Sequence, residues 1–595
     1  MTPRHARYTW WLFVAAVAVL QLSCSSTQVR RFALADPLWE DSDRNAVSKR
    51  PGEYYTGLAS DVADKTVFRP LSRLFLFDFP GDAKNVNAID EVPNSSWFTN
   101  RIGLFNISPE RAAQGACEKP QLTAAKGPWM VINAKPNGAN PGFFIKTPQG
   151  RFLLKFDGPV QPQRATAADV IGSRIYWTAG YWAPCNQIVY FPRGVLKISP
   201  KATATNAYGE KKPITQADVD KVLSMAWRTK GGILRASASA FLPGRPIGPF
   251  MYNDTHSGDP NDIIRHDERR ELRGARVLAA WLNHFDAREQ NTLDIWVKAG
   301  KDKKRTYIRH YYIDFGDCFG SRWPWDGISR RLGYSYYMDF EHLLGDLVTL
   351  GAWPRPWNKA KINDKAEIFG YFGVERFEPS KWRVAYPNPS FDRMQLQDAL
   401  WMTRIIERFT RAHITAMVKQ GKLTNKRAEK TLIDVLMARR RKILAEYLTK
   451  GSPLDKFRIV RRVPGDLTQS LCFKDLAVKH KIVDYRNVLY KFRFMGGKKL
   501  DQRLGWLQFE PDREHPDRSC VRLPLGDKRP AELAPKGAPD NHPLRYGMLE
   551  IFVHQKPTLP PSSSIKLHFY DLGPTKGFRL VGIERPDKPV MPDLY

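Results

Sequence analysis

Apolar positions along the chain recur at two periods, and the change of period divides it. Leu272, Ala275, Ala279 and Leu282 fall at i, i+3, i+7 and i+10, one face of a helix. Ala399, Met402, Ile405, Ile406, Phe409, Ala412 and Ala416 form a second apolar stripe, with Ser390 as a cap ahead of it and Gly421 closing it. A further helix runs from Thr424 to Gly451, so the region 326–450 reads as mainly helical. From about 457 the period is two. Tyr490, Phe492 and Phe494 alternate with Lys491 and Arg493, and Ile565, Leu567 and Phe569 alternate with Lys566 and His568. This predicts a small β-rich domain over 457–595, a sandwich or barrel with a binding or packing role, interrupted by a Pro-rich loop at 525–544.

Upstream the pattern is mixed. Strands are expected over Trp129–Ala134, Phe143–Lys146, Arg151–Phe156 and Ile188–Phe191, and helices over Ala165–Ala179 and Thr215–Trp227. The apolar run Ile233–Leu242 is followed by Pro243-Gly244-Arg245-Pro246. Asp262 is placed to cap the helix that carries Leu272 to Leu282, and Arg269 and Arg270 beside Glu268 and Glu271 read as surface ion pairs. Thr292–Val297 and Thr306–Ile313 flank a Gly/Lys turn as a hairpin. Residues 51–125 show short strand-like runs such as Leu74–Phe79, and Val92–Phe98 reads as a structural turn. Residues 25 to about 50 read as a polar tether.

The N-terminus adds a destination. Arg4, His5 and Arg7 precede an apolar run, Trp10–Leu20, too short for a comfortable membrane span. The run ends at Gln21-Leu22-Ser23-Cys24, which resembles a bacterial lipoprotein cleavage site. That implies a lipidated Cys24 and a lipid anchor in the cell envelope, facing the periplasm or the exterior; plain cleavage and an uncleaved anchor are the other readings. Export permits disulfides. Cys472 with Cys520 is the expected pair, and Cys318 is expected free.

Composition narrows the partners. With 42% hydrophobic residues the chain is not largely disordered. A net charge of +32 suits an anionic membrane or cell-wall surface. Nucleic acid is not an expected partner, because zinc-finger, RNA-binding and basic-heptad patterns are absent from the sequence. Arg439-Arg440-Arg441-Lys442 lies in a helical pattern and reads as a helix face.

The chemistry is concentrated in one stretch. His284-Phe285-Asp286-Ala287-Arg288-Glu289-Gln290-Asn291 spells H-x-D-x-x-x-x-N, and Ile313-Asp314-Phe315-Gly316 follows across the expected hairpin. The pair resembles the catalytic loop and metal-binding segment of protein kinases. Upstream, Gly138-Ala139-Asn140-Pro141-Gly142 and Gly150 to Lys155-Phe156 resemble the HipA-type group. Over about 130–450 the chain is similar to the broad kinase-like group that includes HipA-type, CotH-type and secreted Golgi-type kinases.

The resemblance implies an α+β fold with a bilobal kinase-like core. A small lobe and hinge would occupy 126–250 and a large helical lobe 251–456. A signal peptide (1–24), an N-terminal extension (25–125) and the β-rich domain (457–595) would flank them. It implies that Asp286 aligns the acceptor, that Asn291 and Asp314 hold Mg2+, and that Lys155 holds the phosphates of ATP. Lys146 is the competing lysine. Asp169 stands where kinases carry a helix glutamate that pairs with the lysine; a surface acid is its plain reading. Gly138 and Gly142 would let backbone N–H groups approach phosphate, or form an ordinary hairpin loop. His284 is expected to be structural. Phe285 replaces the usual arginine, which argues against control by a phosphorylated activation loop. Two functions follow: a membrane-tethered phosphotransferase using Mg-ATP on an unknown protein, sugar or lipid acceptor, or a non-enzymatic surface lipoprotein on a degenerate (pseudokinase) fold that binds envelope polymer or a protein partner. The expected scarcity of ATP outside the cytoplasm keeps the second in play.

Overall fold

Every residue of the 16-residue helix α1 (Arg164–Ala179) is buried. Small side chains at Ala165, Ala167, Ala168, Gly172, Ser173 and Ala179 let neighbours approach from all sides, so the helix lacks the one-sided stripe of a surface helix. The structure, a computed structural model, describes residues 30–41, 45–53, 58–74, 80–118, 122–124, 127–135, 141–205, 211–299, 305–322, 331–355, 357–461, 469–555 and 564–586. It is a mixed α+β fold with 30% helix and 26% strand.

Strands β1 (Trp129–Ala134), β2 (Gly142–Thr147), β3 (Gly150–Phe156), β4 (Asn186–Phe191), β5 (Leu196–Thr205), β6 (Lys211–Pro213) and β7 (Leu234–Ala240) form one sheet. Its order is β4-β7-β3-β2-β1-β5-β6, antiparallel except between β1 and β5. α1 contacts β3, β4 and β7, and it also meets the helices Pro109–Gln114 and Arg411–Lys419. Thr215 and Asp218 form a reciprocal capping box on the helix Gln216–Ser224. That helix sets Val219 and Leu223 into the core of this sheet.

Helix α2 (Arg270–Leu282) then leads into the motif. β8 (Arg245–Gly248), β9 (Thr292–Ala299) and β10 (Arg305–Tyr312) form a small sheet in the order β10-β9-β8. β9 and β10 pair without a slip from Thr292↔Tyr312 to Ala299↔Arg305, which returns the chain to its starting point. Most of the remaining helical mass packs with α1 and α2 into the largest core.

In the C-terminal part the period-two pattern is realised as two antiparallel sheets. β11 (Leu454–Arg461), β12 (Gln469–Asp475), β13 (Val488–Gly496), β14 (Gln502–Phe509), β15 (Arg518–Leu523), β16 (Tyr546–Gln555), β17 (Ile565–Asp571) and β18 (Phe578–Glu584) arrange as β11-β12-β15 and β14-β13-β16-β17-β18. Phe473 and Val521 from the first sheet share a core with Tyr490, Phe492, Ile551 and Phe569 from the second. Cys472 and Cys520 are direct cross-strand partners and form the expected disulfide; Cys117–Cys185 is a second, and Cys318 is free and buried.

Several expectations are corrected. Arg269, Arg270 and Glu271 are fully buried rather than surface pairs. Arg270 binds Asp90 and Asp398, and Arg269 lies 3.4 Å from Asp262. Asp262 caps no helix; its carboxylate meets His266 Nε2 at 2.6 Å. Arg439 and Arg440 are buried and donate to backbone carbonyls, Arg439 to those of Trp281, Ala280 and Gly373. The stripe from Ala399 to Ala416 is split between helices Leu396–Ile406 and Arg411–Lys419, where Thr410 caps the second. Ser390 lies inside the short helix Pro389–Asp392, and Asn388 is the cap. Leu74 ends a helix, Arg69–Leu74, and the rest of the Leu74–Phe79 run lies outside the described residues. The Val92–Phe98 segment is core: Trp97 stacks on His310 with centroids 3.4 Å apart, and Phe98 fills the space that Gly180 leaves. The expected tether is packed where it is described. Arg31 donates to the carbonyl of Gly497, Phe32 N–H to the Tyr546 hydroxyl, and Val47 N–H to the carbonyl of Thr306. Cys24, Gly138 and the whole leader lie outside the described residues.

Candidate functional site

The loop after α2 is fixed by its own backbone. Asn283 closes the helix in the left-handed conformation (φ 53°), and His284 turns inward, where its Nδ1 meets the Tyr176 hydroxyl at 2.9 Å. Burial pushes the His284 imidazole down to about 4, so it is neutral at ordinary pH and serves as a structural pin. Asp286 follows, half-buried. Asn291 Nδ2 donates to Asp286 Oδ2 at 2.9 Å, and Arg288 Nε lies 2.9 Å from Asp286 Oδ1. The first β9 residue comes next. At the far end of the hairpin, Ile313 N–H donates to the Asn291 carbonyl at 2.9 Å, which seats Asp314 beside the loop.

Asp314 adopts φ 54°, a conformation that side-chain-bearing residues rarely take and that the surroundings must hold in place. Lys155 Nζ does part of this: it lies 2.9 Å from Asp314 Oδ1 and 3.4 Å from Asp169 Oδ1. Burial opposes a charge on Lys155, but Asp169 and Asp314 outweigh it and raise the ammonium's proton affinity. The same balance, with Lys155 and Lys135 as the cations, holds Asp314 well below the usual carboxylate range.

Asp169 is buried on α1 and not at the surface. Its carboxylate accepts from the Ser237 hydroxyl at 2.9 Å and from Phe315 N–H at 3.2 Å, and its carbonyl accepts from Asn186 Nδ2. One turn on, Gly172 leaves room for Phe315; a Cβ there would come within 2.5 Å of the Phe315 Cβ. α1 therefore grips the Asp314–Phe315 segment twice, by charge at Asp169 and by shape at Gly172. Phe315 is fully buried and packs on Tyr176.

Lys155, Asp169, Asp286, Asn291 and Asp314 thus gather in one place. Gly142 is the direct cross-strand partner of Lys155, and a Cβ there would collide with the Leu154 carbonyl, so close strand packing alone requires glycine. Lys146 is exposed on β2, away from this group.

Four contributors were not singled out from sequence. Asp317 is raised well above the usual carboxylate range, by burial and then by Asp286 and Asp314, against the opposing Arg164. Arg164 donates to the carbonyls of Gly316 and Cys318 at 2.7 and 3.0 Å and so braces the turn after Asp314. Lys135, at the end of β1, senses Asp314 and Lys155; burial lowers its proton affinity. Arg288 pairs with Asp286. Asp317 abuts the Asp-Phe-Gly triplet and Arg288 lies inside the loop motif, so adjacency was the available signal for both. Arg164 and Lys135 had none.

Among the described residues, no helix is long and apolar enough to cross a membrane. Neither models of known protein families, nor curated proteins, nor solved structures match the chain.

Proposed function

We propose that the protein is a kinase-like phosphotransferase of the cell envelope, tethered to the membrane, that moves the terminal phosphoryl group of Mg-ATP to an acceptor hydroxyl on a protein, sugar or lipid. In this reading the seven-stranded sheet with α1 is the small lobe and the helical mass with β8–β10 the large one. The observation that carries it is the meeting of Lys155, Asp169 and Asp314 beside Asp286 and Asn291, residues drawn from a strand, a helix, the loop after α2 and the end of the β9–β10 hairpin. Phosphoryl transfer needs positioning and charge neutralisation more than covalent help. Lys155, held by Asp169, supplies a cation for the phosphates. Asp286, oriented by Asn291 and Arg288, accepts the acceptor's proton as the new P–O bond forms and the diphosphate leaves.

The donor set suits magnesium. Asp286, Asp314, Asp317 and Asn291 offer oxygen ligands of the kind magnesium takes, and Asp317, raised by burial first and then by Asp286 and Asp314, is a carboxyl whose charged form a nearby cation would favour. Asn291 and Asp314 would hold the ion, which would supply charge neutralisation at the phosphates.

The test is a thermal-shift titration of the full chain in detergent with Mg-ATP, followed by transfer of labelled terminal phosphate. Nucleotide should raise the melting temperature, Asp314→Asn should abolish the shift, and Asp286→Ala should abolish transfer while keeping it. Absence of any nucleotide effect on the wild-type chain refutes the reading. A specific observation favours nucleotide binding without turnover: both Asp286 oxygens are already engaged, by Asn291 and Arg288. Binding without transfer to any acceptor would select that alternative.

A further inference from the structure

Helix α3 (Phe340–Thr349) is built inside out. Leu343, Leu344, Leu347 and Val348 lie on one face at i, i+1, i+4 and i+5, and that face is turned to solvent. Leu347 is 70% exposed, Val348 82%, and Leu350 just past the helix 91%. The other side is half-buried at His342, Gly345 and Thr349, and it is the side held to the protein. Arg355 reaches under it to Asp346 Oδ1 at 2.5 Å and to the His342 carbonyl at 2.9 Å. Gly345 lets the Arg355 guanidinium approach, and Trp357 lies against His342. Arg383 secures the first turn through Asp339 and Glu341, at 3.0 and 2.7 Å. A helix that merely covers a soluble core turns its apolar stripe inward. This one is pinned by its polar side so that the apolar side faces away.

We infer that α3 docks on an anionic phospholipid bilayer, with Leu343, Leu344, Leu347, Val348 and Leu350 entering the acyl boundary. Two observations favour lipid over another occupant. Trp353 is 62% exposed just beyond the helix, an amphipathic ring of the kind that settles at headgroup depth. Exposed Lys359, Lys361 and Lys365 follow it and outnumber the one exposed acid among them, Asp364; on a chain of net charge +32 they give the charge complementarity that an anionic surface requires. The exposed acids Glu341 and Asp346 are each paired with an arginine.

The helix is also tied to the candidate site. Asp286 pairs with Arg288, whose guanidinium lies 5.1 Å from the Tyr386 ring; Tyr386 stacks on Tyr337 (5.9 Å, 7°), two residues before the Asp339 cap. These contacts join the docking helix to the Asp286 loop in one continuous chain, so within the proposed function docking would favour bilayer-borne acceptors. The docking itself needs only the envelope location from that proposal.

The full chain is tested by hydrogen exchange with vesicles, because co-flotation alone would report the N-terminal anchor. With phosphatidylglycerol vesicles, amides in 340–353 should exchange at least tenfold more slowly, and phosphatidylcholine vesicles should have little effect. Leu347→Glu/Val348→Glu should remove the protection and leave the Mg-ATP thermal shift intact. Unchanged exchange in 340–353 while the chain floats with the vesicles overturns the inference. So does protection that grows with protein concentration in the absence of lipid, since a second copy then covers the face. Loss of the nucleotide shift in wild type would instead refute the phosphotransferase reading and leave the docking result standing.

Discussion

The Lys155 ammonium lies 2.9 Å from the Asp314 carboxylate and, on its other side, 3.4 Å from Asp169. One cation therefore couples a strand of the large sheet, the central helix and the end of the β9–β10 hairpin. Lys155→Met would leave two carboxylates facing each other, Asp169 fully buried. Removing one partner of a buried pair costs about 3 kcal/mol. Urea unfolding should show a loss of that size, and Lys155→Met/Asp169→Asn should recover part of it. A single variant as stable as wild type would mean that the coupling carries no weight.

Gly172→Ala tests the grip of α1 on Phe315. The new methyl meets the Phe315 Cβ, and overpacking of this kind costs about 1–3 kcal/mol. The expected outcome is a folded protein with a modestly lower melting temperature and a nucleotide shift reduced at least tenfold in affinity. Unchanged affinity would uncouple Phe315 from Asp314.

Asp90 gives a pH signature. Burial works against its charge, but Arg270, Arg404 and Arg585 outweigh burial and pull it down to about 2. A carboxylate depressed on folding adds stability in full above its unfolded pKa of about 3.9, and that stability is lost as pH falls toward 2. The contribution is on the order of 2 kcal/mol. Unfolding midpoints between pH 6 and pH 2.5 should fall steeply for wild type. Asp90→Asn should be less stable at pH 6 and show a flatter decline.

Cys472→Ser/Cys520→Ser opens a closure of 48 residues. Loops of that size contribute about 2–4 kcal/mol when closed. The variant should melt lower, and full reduction should lower the wild type further still, because it also opens Cys117–Cys185. Native wild-type Cys318 should resist alkylation until the chain unfolds, because it is buried.

What the sequence made legible was local and periodic. Tyr490, Phe492 and Phe494 announce a strand because alternate positions face one core, and the motif pair is joined by a hairpin whose turn residues are visible. Lys155 stood out because an ammonium amid apolar neighbours needs partners. The buried charges were illegible for the opposite reason. Arg270 looks like a surface residue beside Glu271, and its real partners, Asp90 and Asp398, are far away along the chain in both directions. The same holds for Cys117 and Cys185, which only the packing of the Pro109–Gln114 segment against α1 brings together. The stripe of α3 has helical spacing like any core stripe; spacing reports that a face is apolar, not which way it points.

Arg31 and Phe32 are already bound to the five-stranded sheet through Gly497 and Tyr546. A lipid carried by Cys24 would therefore have a leash of at most roughly 25 Å at full extension. That sheet could not roam; it would form one foot of the molecule and α3 the other. With Cys24 lipidated and α3 docked as proposed, the body would be held at two points, could not tumble freely above the bilayer, and would meet its partners by lateral diffusion in two dimensions.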